Sequence, residues 1–108
     1  MIGLSVVRES QFQNKIIKII NDKYGIALKY QESGTTKVGI PDIIAGINGK
    51  IIFIECKTDS GVLSKIQEKQ IDRLKKNITP YVYVVKPSTY DDLIKELNRI
   101  KEDNHENN

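Results

Sequence analysis

Tryptophan is absent from this 108-residue chain, cysteine and histidine occur once each, and only 3 prolines and 7 glycines interrupt it. A single thiol closes no intramolecular disulfide, and one Cys with one His cannot supply a closed structural zinc site. Cys56 therefore points to a reducing, cytoplasmic setting. The opening MIGLSVVRES has no long apolar stretch of the kind a secretory leader carries. No run approaches the roughly 18 apolar residues of a membrane span, because Asn48, Gly49, Lys50 and Glu55 break up the most apolar region. Charge of one sign is also in short supply: 17 Lys and Arg face 14 Asp and Glu, a formal net charge of +3 that permits a polyanionic partner without requiring one. A chain of this length can bury roughly two-thirds of its unfolded surface, so it needs no covalent or metal staple merely to fold.

What is present reads as an alternation of helix and strand. Phe12, Ile16, Ile17, Ile19, Ile20 and Tyr24 recur at spacings of three and four, which predicts an amphipathic helix from Ser5 to Lys23 that stops at Gly25. Ile26, Leu28 and Tyr30 then alternate with Ala27, Lys29 and Gln31, the period of a half-buried strand. The glycine-containing stretch 32–39 has little periodicity and reads as a loop. Two strand-like runs follow, Pro41 to Ile47 and Lys50 to Lys57, separated only by Asn48-Gly49, the pair best suited to a type I′ hairpin turn. Leu63, Gln67, Gln70, Ile71 and Leu74 outline a second helix ending at Asn77, and Tyr81 to Val85 a fourth strand. Tyr90, Leu93, Ile94, Leu97 and Ile100 outline a last helix, capped by Ser88 or Thr89. The order is αβββαβα: an α/β chain with a single domain over residues 1–103 and a polar tail over 104–108 that holds His105, read as a solvated surface residue.

A two-residue turn at Asn48-Gly49 sets the register. Ile47 then faces Lys50, Ile44 faces Phe53, and Asp42 faces Glu55. Directly opposed residues share a face with Cβ atoms about 4.5–5.5 Å apart, and Lys57, two positions past Glu55, shares that face. Two ionised carboxylates at that separation repel by on the order of 3 kcal/mol at an effective dielectric near 20, more than a favourable cross-strand pair returns. Such a pair calls for a counter-charge. Mg²⁺ or Mn²⁺ suits two carboxylates with room for water, and an Asp42-Glu55-Lys57 salt-bridge cluster is the structural alternative. Cys56 falls on the opposite face with Ile52 and Ile54, as a small buried hydrophobe and not a nucleophile.

These residues carry a resemblance. The segment GIPDIIAGINGKIIFIECK, in which Asp42 precedes Glu55-Cys56-Lys57 by twelve intervening residues, resembles the core of the PD-(D/E)XK nucleases. Its continuation through Leu63-Ser64-Lys65-Ile66-Gln67 resembles one branch, the VRR-NUC (virus-type replication-repair nuclease) domain, with its Gly-X-Pro-Asp, Glu-X-Lys and Ser-X-X-Gln in order. The likeness runs from Glu9 to about Val85. It implies a restriction-endonuclease-like core, a mixed four-stranded sheet flanked by helices, and a metal-dependent phosphodiesterase. Asp42, Glu55 and the backbone carbonyl of Cys56 would hold the cation, and Lys57 would orient or help deprotonate the attacking water. Gln67 would stand at the active site, although Ser64-X-X-Gln67 is equally a capping box. Glu9 matches an acid on the family's first helix that completes the metal shell, with Gln13 one turn on, in reach of DNA. Both also suit a solvated helix start.

Around this centre, Ser33, Gly34, Thr35, Thr36 and Lys37 could meet phosphate. Lys65, Lys69, Lys75 and Lys76 could extend a basic track, and a flexible loop and a solvated helix face are the plain alternatives. Few residues remain beyond the catalytic core to read bases in a groove. The expectation is therefore a Mg²⁺- or Mn²⁺-dependent endonuclease selective for branched DNA such as four-way (Holliday) junctions or flaps, akin to small phage-encoded members acting in a bacterial cytoplasm. Symmetric cleavage of a junction would need a homodimer. The rivals are a non-catalytic DNA-binding module of a replication or recombination complex and a nuclease acting on ordinary duplex.

Overall fold

Asn48 and Gly49 both adopt positive φ, 53° and 75°, the backbone that a type I′ turn demands. In the computed structural model, which describes residues 2–30 and 39–103 and side chains from residue 9 onward, this turn joins strand β2 (Ile43–Ile47) to strand β3 (Lys50–Cys56). Ile47 pairs with Lys50, Ile44 with Phe53 and Ile43 with Ile54. The expected register holds, and one step beyond the ladder it sets Asp42 opposite Glu55. Strand β1 (Ile26–Lys29) pairs antiparallel with β2, and β4 (Val82–Val85) pairs parallel with β3. The result is a mixed four-stranded sheet in the order β1-β2-β3-β4.

Helix α1 (Ile2–Lys23) precedes the sheet, α2 (Lys65–Asn77) crosses between β3 and β4, and a single 3-10 turn, Pro87–Thr89, leads into α3 (Tyr90–Glu102). Period-two alternation sorts the hairpin residues between two layers. Ile43, Ala45, Ile47, Ile52, Ile54 and Cys56 face Ile16 and Ile20 of α1 and Leu93, Leu97 and Ile100 of α3, and this is the main core. Each fully buried Ile or Leu contributes roughly 1.5–3 kcal/mol there. On the other face Phe53 and Val82 pack with Ile71, and Ile44, Leu63 and Leu74 lean on them. Helices thus cover both faces, as a restriction-endonuclease-like fold requires. The thinner layer is the one that carries Asp42, Glu55 and Lys57.

Three local expectations change. Helix α1 begins at Ile2, before Ser5. In β1 the buried residue is Ala27, at 4% exposure, whereas Ile26 and Leu28 are 58% and 61% exposed. The alternation is present, but Ala27 faces the main core and the two larger residues face the side that α2 covers incompletely. Thr89 occupies the position before α3 without capping it through its side chain. Its hydroxyl instead accepts the Lys86 N–H at 2.9 Å, closing the 3-10 turn.

Candidate active site

Gly39 is the first positioning element. Its φ of +85°, together with the close approach of Ile66 and Gln70 of α2, where an added Cβ would lie 2.8 Å from Ile66 Cγ2, admits no side chain. The chain then turns through buried Pro41 and presents Asp42 just ahead of β2. The Asp42 carbonyl accepts the Tyr30 N–H at 2.7 Å. Its carboxylate Oδ2 accepts the Cys56 N–H at 2.9 Å. Backbone and side chain of Asp42 are therefore tied to both neighbouring strands.

Glu55 is 4% exposed. Its Oε2 accepts the Gln67 amide N–H at 3.1 Å and lies 3.7 Å from Lys57 Nζ. Burial, and next the charge of Asp42, push the Glu55 carboxyl up from 4.5 to about 7, against the opposing pull of Lys57. Glu9 of α1 adds to the same rise, which places its charge within electrostatic reach of the pair. Burial also drives the Cys56 thiol far up. The thiol is fully buried in the main core, so it stays protonated and takes no part as a nucleophile.

Gln67 both caps α2 and contacts Glu55. Its backbone N–H bonds Ser64 Oγ at 3.1 Å and its side-chain oxygen accepts the Ser64 N–H at 2.9 Å, a complete capping box. The other end of the same amide holds Glu55. The start of α2 and the orientation of the catalytic candidate are thus one hydrogen-bonded unit. Gln13 lies on α1 one turn after Glu9, is 7% exposed, and among the described residues its Oε1 has no hydrogen-bond partner. Lys65 and Lys69 are exposed on α2, as are Lys75 and Lys76. Ser33, Gly34, Thr35, Thr36, Lys37 and His105 lie outside the described residues.

A cleft of about 320 Å³ opens beside the acids, walled by Glu9, Phe12, Lys57, the turn Thr58–Ser60 and Pro87. The turn is fixed from behind, because Asp59 accepts the Ser88 N–H at 3.0 Å and Lys86 Nζ bonds the Asp59 carbonyl at 3.2 Å. From sequence alone, Thr58 to Val62 is a turn-rich connection. The hydroxyl-rich Thr-Asp-Ser after a strand end was the available signal, whereas the tie to Ser88, 29 residues on, had none.

Among the described residues no three Asp, Glu, His or Cys side chains group closely enough to cage a metal. The candidate donors are the oxygens of Asp42 and Glu55 and the adjacent Cys56 carbonyl. An all-oxygen set of this kind, with few protein ligands, suits a hard cation that keeps much of its own water, as Mg²⁺ does. Buried Glu55 beside half-buried Asp42 fits such an ion.

Comparison with known proteins shows the family. The family described as archaeal Holliday junction resolvase (Hjc) matches residues 6–79. Protein p44 of Acyrthosiphon pisum secondary endosymbiont phage 1, described as a candidate nuclease, is 32% identical over 72 residues, covering 66% of this chain and 75% of that protein. No helix among the described residues is long and apolar enough to cross a membrane. The matched stretch takes in every residue of the acid-lysine-glutamine cluster, from Glu9 to Gln67, and the chain belongs to the archaeal Holliday junction resolvase family, a PD-(D/E)XK-type nuclease family.

Proposed function

We propose that this nuclease is a Mg²⁺- or Mn²⁺-dependent endonuclease that hydrolyses phosphodiester bonds in branched DNA, four-way junctions above all. The observation that carries the reading is the buried Glu55, set against Asp42 and held by Gln67 and Lys57. A carboxylate in that position is costly unless a cation meets it. Asp42 and Glu55, helped by the Cys56 carbonyl, would hold the ion, which would polarise a phosphate oxygen and supply positive charge where the transition state gathers negative charge. Lys57 donates to the attacking water or to the non-bridging oxygens. Gln67 holds the Glu55 carboxylate in place through its side-chain amide. Water adds to phosphorus on one side, its proton passing to solvent, as the P–O bond to the leaving strand breaks on the other and the leaving oxygen takes up a proton from solvent. The ordered Gly-X-Pro-Asp, Glu-X-Lys and Ser-X-X-Gln motifs support a kinship with the VRR-NUC branch.

The family match supports junction DNA as substrate, and the short chain, with few residues beyond its core, supports recognition of shape over base sequence. Two strands of a junction need two cutting centres, so a two-fold homodimer follows. Ile26, Leu28 and Ile51, 58%, 61% and 48% exposed, lie in adjoining register positions on the active-site face of the sheet. They are the apolar surface such an axis would cover. The test is cleavage of labelled four-way junction, flap, linear duplex and single strand at one enzyme concentration in Mg²⁺. Preferential cutting of junction is the expected result. Equal cutting of all duplexes would keep the chemistry and remove the junction role, and metal-free binding without cutting would favour a DNA-binding module.

A further inference from the structure

Helix α1 runs along the sheet from Glu9, which shares the cleft with Lys57, to Asn21, whose side chain exchanges hydrogen bonds with Ala27 in β1. Gln13 sits one turn in from Glu9, about 6 Å along the axis. It lies on the stripe that continues through Ile16 and Ile20 into the main core. A glutamine in that stripe is out of keeping with its apolar neighbours. Its amide is nine-tenths buried and its Oε1 has no partner among the described residues. A buried carbonyl oxygen left without a donor is destabilising, and burial takes it away from the DNA surface. Among the described residues the oxygen lacks a partner of positive or proton-donating character. Glu9, one turn before Gln13 on the same helix, adds to the negative charge around Glu55 and Asp42, and among the described residues no third acid groups closely enough with that pair to cage a cation.

We propose that the amide oxygen of Gln13 is a further protein donor toward the divalent cation, directly or through one water of its hydration shell. The inference rests on the metal-dependent reading above and deepens it. A neutral amide adds a donor without adding to the repulsion among the acids, which an additional buried carboxylate would do.

The test measures Mn²⁺ binding to the full chain by the electron paramagnetic resonance signal of free Mn²⁺, with thermal unfolding in EDTA alongside. Wild type, Gln13→Leu, Gln13→Glu and Glu55→Ala are compared. Gln13→Leu should weaken Mn²⁺ binding by on the order of tenfold, the scale on which supporting ligands act, while its unfolding temperature in EDTA stays level or rises, since an unpaired buried oxygen has been removed. Gln13→Glu should bind at least as tightly as wild type. A Leu variant that binds Mn²⁺ like wild type, or one that only loses stability, would overturn the proposal. Should the Leu variant fail to fold, weaker binding by the Glu variant does the same. Failure of wild type itself to bind Mn²⁺ would overturn the metal reading and this inference together. Wild-type binding that is lost in Glu55→Ala and unchanged in Gln13→Leu would leave that reading standing and remove Gln13 alone.

Discussion

Glu55 concentrates the chemistry of this molecule in one side chain. Burial and Asp42 push its carboxyl up to about 7, so protons would compete with the proposed divalent cation for it. Mn²⁺ affinity, measured by titration calorimetry, should fall about tenfold per pH unit below about pH 7 and level off above it. In the metal-free protein the sign follows from the same shift. The folded value lies above the unfolded one, so the contribution of Glu55 to stability is fully present below about pH 4.5 and is lost as pH rises through about 7. Thermal melts in EDTA should show wild type losing stability over that window relative to Glu55→Gln, and parallel curves would contradict the raised value. Gly39 is the second residue with a sharp consequence. Gly39→Ala places a Cβ at positive φ and within 2.8 Å of Ile66, which should cost roughly 1–3 kcal/mol in chemical denaturation. An unchanged midpoint would show that α2 shifts freely to make room.

At the scale of elements, the hairpin was legible before any coordinates, because Asn-Gly tolerates the positive φ that a type I′ turn needs and the turn length then dictates which side chains oppose one another. That one inference brought Asp42 to Glu55 and turned Cys56 away from them. The partners of Gln67 were half legible: Ser64-X-X-Gln67 announces a capping box, whereas the bond to Glu55 depends on how α2 crosses the sheet, which no local pattern encodes. The burial of Ala27 in place of Ile26 and Leu28 was not legible either. Alternation shows that a strand has two faces, and only the packing of the helices decides which is inside. The dual bonding of Gln67 makes a separable prediction. Ser64→Ala removes only the cap and should cost about 1 kcal/mol of stability with cleavage retained, while Gln67→Ala should lose a similar amount and also cleavage rate. Equal rates for the two variants would show that the Gln67–Glu55 bond is a packing detail.

Over the whole molecule, the sheet separates a thick core of α1 and α3 from a thin layer under α2, and the nuclease candidates sit at one end of the thin side. The apolar residues left open on that side, Ile26, Leu28 and Ile51, set the prediction for assembly. Leu28→Asp should lower the mass seen by sedimentation from two chains to one without unfolding the protein, and an unchanged mass would place the two-fold elsewhere. The central claim is that Asp42, Glu55 and Lys57 form a metal-dependent cutting centre for junction DNA. The measurement that bears on it most directly is single-turnover cleavage of a labelled four-way junction by wild type and Glu55→Ala, in Mg²⁺ and in EDTA. Cutting by wild type in Mg²⁺ alone, reduced by at least about a hundredfold in the variant, is the expected result. Cutting that persists in EDTA or in the variant would contradict it.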